Sequence, residues 1–315
     1  MKTSHKDKIV VVGAGNVGEA IAYTLMIRKQ ASDIVLIDLN EARAKGDALD
    51  ISHGTSFYNQ VTIRQGGYEE CADADIIIVT AGVARKPGQT RLDLAKVNVS
   101  IMRSVTESIM QYAKNPIIIV VSNPADIITA EIQAISGLPA NRVIGSGTSL
   151  DTARLRYNLS EALNVSVKDV QAYVLGEHGD SQVPIYSSAA IGGVSLDSAA
   201  EQLNVTLDKE DIAKRTREGG AEVIGLKGAT FYGIAMSVSA IVETIMRDDN
   251  AVLPVAHVLD ESFGDWAGVP ISLPCQIGAE GISKVLEVSM SDSEKEAMNA
   301  SVQILKDFLN KVREA

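Results

Sequence analysis

The chain has 315 residues, 46% of them hydrophobic, and its 29 Lys and Arg against 40 Asp and Glu give a formal net charge of −11. At roughly 150 residues per domain the length suggests about two domains. The apolar fraction excludes a disordered chain, and the acidic balance argues against a surface built for nucleic acid or anionic lipid.

Short runs rich in Ile and Val occupy residues 9–12, 34–39, 76–79, 117–121 and 143–144. Continuous β-branched runs suit strands buried on both faces. Helical patterns lie between them, at residues 18–29 and 92–114. Strands alternating with helices predict an α/β fold, a Rossmann-type doubly wound parallel sheet over residues 1–147. The rhythm changes afterwards, and residues 148–315 are expected to form a mixed α+β catalytic domain. Residues 219–246 read as one long helix interrupted by small residues. Met298, Val302, Leu305, Leu309 and Val312 mark one face of a last helix. Ser291 and Glu294 are spaced for a capping box at its start. No linker rich in proline or serine separates the halves, so an extensive interface between them is expected.

Two cysteines, Cys71 and Cys275, are too few for a disulfide framework or a metal cluster, and no metal site is expected. The four-residue apolar run 9–12 is too short for a signal peptide. No stretch approaches the ~20 apolar residues of a membrane span. A reduced, cytoplasmic protein is expected.

Residues 11–18 read VVGAGNVG, a strand entering G-x-G-x-x-G and then a helix, and Asp38 ends the next apolar run. That context marks a dinucleotide site. Gly13 permits the tight turn, Gly15 lets backbone approach a pyrophosphate, and Gly18 allows close helix–strand packing. Asn16 and Val17 lie in the same turn as cofactor-binding candidates, and the N-terminus of the helix that follows would supply N–H donors and a positive dipole to the phosphates. Asp38 would accept hydrogen bonds from ribose hydroxyls and repel a 2′-phosphate, so NAD is expected rather than NADP.

Of the four histidines, His178 stands in LGEHGDS between glycines. A histidine suits proton transfer at neutral pH. His5 lies in the polar N-terminal stretch, and His53 and His257 read as surface or loop residues. Four segments carry a resemblance: residues 81–94 (AGVARKPGQTRLDL), 122–126 (SNPAD), 150–157 (LDTARLRY) and 173–184 (YVLGEHGDSQVP). Together with the dinucleotide motif they resemble the NAD-dependent lactate/malate dehydrogenase family, with wording nearest to bacterial L-lactate dehydrogenases. The resemblance covers essentially the whole chain.

It implies reversible reduction of a small 2-oxo acid to an L-2-hydroxy acid. His178 would give the proton, Asp151 would hold its other ring nitrogen, and Arg154 would grip the substrate carboxylate. Arg91 would polarise the carbonyl. Asn123, before a cis Asn123–Pro124 bond, would serve both substrate and nicotinamide, and Thr230 would line the substrate pocket. Residues 83–91 would form a loop that closes over substrate. A homotetramer or homodimer is implied as well.

Two positions depart from the lactate pattern. Arg85 stands where lactate enzymes of the family usually carry glutamine and malate enzymes carry arginine, so good activity on oxaloacetate is expected. The alternative is a strict pyruvate enzyme with Arg85 turned to solvent. Arg156 matches an arginine used for fructose 1,6-bisphosphate activation in some relatives, but Gln171 replaces the histidine, so little activation is expected. A metal-dependent NAD glycosidase would need a Cys–His ligand pair, which the spacing of Cys71 and Cys275 does not suggest. A non-catalytic NAD-sensing module would have no use for His178, Asp151, Arg91 and Arg154 together. The acidic average thus conceals Arg85, Arg91 and Arg154, expected to converge on one pocket.

Overall fold

The apolar runs of the first half form six short strands: β1 (Lys8–Val12), β2 (Asp33–Ile37), β3 (Thr62–Gln65), β4 (Ile76–Val79), β5 (Ile117–Val120) and β6 (Val143–Gly145). This computed structural model describes residues 7–58, 60–83 and 90–314. Every side chain of β1, β4 and β5 is buried, which is why these runs do not alternate with polar residues. Helices α1 (Asn16–Ile27), α2 (Glu41–Gly54), α3 (Arg91–Met110) and α4 (Ala125–Ser136) connect them.

The strands pair in parallel in the order β3-β2-β1-β4-β5-β6. This is the doubly wound arrangement, and its order reverses between β1 and β4. Ligands of such sheets bind beyond the carboxyl ends of the strands at that reversal. The segments leaving those ends are the ones the sequence singles out. The glycine turn follows β1, Asp38 follows β2, residues 80–90 follow β4, and Asn123 follows β5.

The second half begins with α5 (Ser149–Leu163), directly after β6. A separate antiparallel sheet follows, made of β7 (Val170–Leu175), β8 (Val183–Ile191) and β9 (Val194–Ser195). Helices α6 (Leu196–Gln202), α7 (Lys209–Lys227) and α8 (Tyr232–Arg247) precede β10 (Val252–Val258), β11 (Pro270–Gly278) and β12 (Gly281–Val285). These three strands return to the first sheet. β10 pairs antiparallel with β6, placing Ala256 opposite Gly145, and the sheet grows to nine strands. The two halves therefore share one sheet, which accounts for the missing linker.

The chain ends in α9 (Asp292–Arg313). Ser291 and Glu294 form both arms of the expected capping box, and Met298, Val302, Leu305, Leu309 and Val312 are all buried. The long helix expected over residues 219–246 is two helices instead. Gly228 takes a left-handed conformation (φ +84°) and ends α7, and α8 restarts at Tyr232. His257 also differs from its sequence reading: it lies inside β10, buried. Its Nδ1 sits 3.8 Å from the Cys275 sulfur on β11. Burial lowers His257 to about 4 and raises the Cys275 thiol to about 12, so both stay neutral near pH 7. Among the described residues no group of three or more His, Cys, Asp and Glu is placed to hold a metal ion. No described helix is long and apolar enough to cross a membrane.

Candidate active site

The dinucleotide turn is built from contacts only glycine allows. Gly13 adopts φ +108°, and a Cβ there would lie 2.6 Å from the Ala81 nitrogen at the end of β4. A Cβ on Gly18 would lie 1.9 Å from the Gly13 carbonyl oxygen. Gly15 differs, because nothing stands within 4 Å of where its Cβ would be. It caps α1 without a side-chain hydrogen bond, so the first N–H groups of Asn16, Val17 and Gly18 remain for a phosphate.

Asp38 is held by two backbone groups. Ala14 N–H donates to Oδ2 at 2.7 Å and Asn40 N–H to Oδ1 at 2.8 Å. Each carboxylate oxygen keeps a lone pair for a ribose hydroxyl. The open glycine and the fixed carboxylate fit an NAD-sized dinucleotide. Arg43 is a base near this end that sequence reasoning missed. Its Nη2 donates to Asn16 Oδ1 at 3.2 Å and lies 3.4 Å from Glu19. Its charge is thus already shared with an acid, and Asp38 still opposes a 2′-phosphate.

Asn98 of α3 ties Val83, after β4, to Asn123, after β5. Its Oδ1 accepts the Val83 N–H at 2.9 Å, and its Nδ2 donates to the Asn123 carbonyl at 2.7 Å. Asn123 is exposed, and the Asn123–Pro124 bond is cis. Thr90 and Asp93 close a capping box where the loop enters α3. Arg85 falls in residues 84–89, outside the described residues, as does His5.

His178 sits in the connection between β7 and β8. Gly176 turns the chain there with φ +88° and bridges to Ser272 of β11. Thr148 and Thr152, at the start of α5, donate to the Val174 carbonyl at 2.5 and 3.3 Å, and Thr152 Oγ1 accepts the Val174 N–H at 2.9 Å. α5 is thereby fastened to the end of β7, and Asp151 is carried to the histidine.

His178 Nδ1 and Asp151 Oδ2 lie 2.5 Å apart, and Asp151 Oδ1 accepts from Arg154 Nη1 at 2.9 Å. The Asp151 charge raises His178 to about 9 against the effect of burial. Burial opposes ionisation of Asp151, but His178 and Arg154 outweigh it and hold its carboxyl below the ordinary range. The bond at Nδ1 leaves Nε2 as the nitrogen available to a substrate.

The Arg154 guanidinium lies against Gly220 of α7, where a Cβ would stand 3.2 Å from Nη2. Gly219 and Gly220 thus make a flat seat for a planar cation, which the sequence shows only as part of a helix rich in small residues. Arg91 Nη2 donates to the buried Glu177 Oε1 at 2.6 Å. Glu177 precedes His178 in the chain, so the pair brings Arg91 to the histidine segment. A Cβ on Gly179 would meet both members of this pair, at 2.8 Å from Glu177 Oε1 and 2.9 Å from Arg91 Nη2. Thr230 is half-buried in the turn between α7 and α8, and no hydrogen bond joins it to the cluster among the described residues.

The model of the lactate/malate dehydrogenase NAD binding domain matches residues 7–145, and that of the lactate/malate dehydrogenase alpha/beta C-terminal domain matches residues 148–315. The chain belongs to the lactate/malate dehydrogenase family. It is an NAD-dependent 2-hydroxyacid dehydrogenase of the lactate dehydrogenase type. It is 42% identical over 306 residues to the L-lactate dehydrogenase of Nitratidesulfovibrio vulgaris, covering 96% of this chain and 99% of that one. Identity to the L-lactate dehydrogenase of Halalkalibacterium halodurans is 44% over 309 residues, 98% of each chain. Among solved structures, the minor L-lactate dehydrogenase of Enterococcus mundtii superposes with a TM-score of 0.92 at 39% identity, covering 98% of this chain and 99% of that one. A lactate dehydrogenase from a deep-sea metagenome library gives 0.95 at 35% identity, with the same coverage.

Proposed function

We propose that this member of the family reduces oxaloacetate at least as well as pyruvate, using His178 as the proton donor. The observation that carries the chemistry is one buried carboxylate, Asp151, shared between His178 and Arg154. A group that must deliver a proton and a group that must bind an anion are thereby set side by side. His178 gives the proton from Nε2 to the 2-oxo oxygen, and in the reverse direction it takes the hydroxyl proton. The bound NADH supplies the hydride. Asp151 keeps the proton on Nδ1 and stabilises the imidazolium. Arg154 turns its remaining N–H groups to the C1 carboxylate, a bidentate contact that lysine cannot make. Arg91 stabilises negative charge developing on the oxygen. Asn123 orients the carbonyl and the nicotinamide, and Thr230 lines the substrate side.

The choice of acid is assigned to Arg85 on its residue type. Facing a methyl group, a buried guanidinium without a partner costs about 3–5 kcal/mol, a discrimination on the order of 10²–10³. Facing the second carboxylate of oxaloacetate, it is paired. Oxidation of NADH followed with a panel of 2-oxo acids tests this reading. The expected result is kcat/KM for oxaloacetate equal to or above that for pyruvate, and a strong preference for pyruvate, or turnover of neither acid, would end it.

Fructose 1,6-bisphosphate is expected to leave the saturation curve nearly unchanged. Arg156 Nε donates to the Ala172 carbonyl at 3.0 Å, and its guanidinium lies 5.4 Å from the centre of the Tyr173 ring. With Gln171 beside it on β7, this corner offers one cation already in use. A curve markedly steepened at low substrate by the effector would contradict the expectation.

A further inference from the structure

Three buried carboxylates surround His178, and they are not equivalent. Asp151 faces Arg154 and the imidazole. Glu177 faces Arg91 and also accepts the Ser181 N–H at 3.2 Å and hydroxyl at 2.5 Å. Asp126, in the first turn of α4, is the third. Its Oδ2 accepts the backbone N–H of His178 at 2.7 Å. Its Oδ1 is buried with no hydrogen-bond partner, and no cation pairs with either oxygen among the described residues.

We propose that Asp126 is a positioning residue for the proton transfer: it braces the His178 backbone from α4 and, as an unneutralised anion beside the imidazole, helps hold its proton. This rests on His178 being the proton donor.

The geometry supports both parts. α4 begins one residue after the cis Asn123–Pro124 bond, so one short segment carries the residue expected at the nicotinamide and the brace of the histidine. Among the described residues, the charged groups around His178 are Asp151 and Arg154 from α5, Asp126 from α4, and Glu177, next to it in the chain, with its partner Arg91 from α3. Each arginine is paired with one buried acid, which leaves Asp126 as the extra negative charge, and the balance favours the imidazolium. Burial moves the Asp126 carboxyl itself up to about 7, with His178 acting in the opposite direction. Each group shifts the other, so the two titrate as a coupled pair.

The test is the pH profile of kcat/KM for 2-oxo acid reduction in Asp126→Asn. The amide oxygen still accepts the His178 N–H, so the brace remains and only the charge is removed. Losing an anion lowers the histidine pKa, and the alkaline limb of the profile should move down by about one pH unit. The loss should grow with pH, to roughly 10-fold beyond the limb. Asp126→Ser, a smaller neutral acceptor, should move the limb the same way if the amide variant does not fold. A limb that stays in place, with any loss uniform across pH, would overturn the inference. His178→Asn is the control for the reading beneath it. If that variant loses activity while Asp126→Asn keeps the wild-type limb, only the role of Asp126 falls. If His178→Asn keeps both activity and limb, both assignments fall.

Discussion

Replacing Asp151 by asparagine should lower kcat for 2-oxo acid reduction about 10²- to 10⁴-fold, the range expected when a positioned acid loses its orienting carboxylate. Two effects combine. The charge of Asp151 is the largest cause of the raised His178 pKa, and burial acts against it. Without that charge the histidine falls from about 9 toward or below its ordinary 6.5. The asparagine amide also donates to Nδ1 as readily as it accepts, which admits the tautomer with no proton there. The sign in pH follows. Reduction needs the protonated imidazole, so wild-type activity persists up to about 9 and is lost above it, and in the variant that limb moves to lower pH. Profiles of kcat/KM report the free enzyme and are the measurement to make, with circular dichroism and NADH binding checking that the fold and the cofactor site survive. An unmoved limb would remove Asp151 from the proton transfer.

Arg154→Lys should lower kcat/KM about 10²- to 10³-fold, the loss expected when one partner of a buried charge pair is replaced by a poorer one. The fall should lie chiefly in KM, because the carboxylate is bound in ground and transition states alike. The seat against Gly219 and Gly220 is shaped for a planar fork. An ammonium has a single charged centre and cannot reach both Asp151 and a substrate carboxylate in the same geometry. Initial-rate measurements over a wide substrate range would check this, and an unchanged KM would assign the carboxylate to another residue.

The parts of the molecule legible in its sequence are those encoded locally. The Val-Val-Gly-Ala-Gly turn, Asp38 and the Ile/Val strands each specify their structure within a few residues. Strand ends are less sharp: the second apolar run extends to Leu39, which is fully exposed beyond β2. The features that went unread depend on distant pairing. β10–β12 join β6 across more than a hundred residues, and no local pattern announces which sheet a strand will extend. His257 looked like a surface residue because its burial is imposed by β11. Gly228 is one small residue among several in the sequence, and only its left-handed conformation shows that it ends a helix.

The same holds within the site. His178, Asp151, Arg154 and Arg91 were named through the motifs that carry them. Asp126 and Glu177 lie in those motifs with no role legible from sequence, since what matters about them is burial and the direction of one hydrogen bond. A signal was available for Asp126. It is one of two buried acids in an Ala- and Ile-rich helix; Glu131 has Arg313 as its partner, and Asp126 needs another reason to be inside.

In the proposed reading, Arg85 turns a lactate-type framework toward a dicarboxylic acid. The most direct test is the ratio of kcat/KM for oxaloacetate to that for pyruvate, measured in the wild-type protein and in Arg85→Gln. The expected wild-type ratio is one or more, and it should fall on the order of 10²- to 10³-fold in the variant. A strong wild-type preference for pyruvate, unchanged in Arg85→Gln, would contradict it.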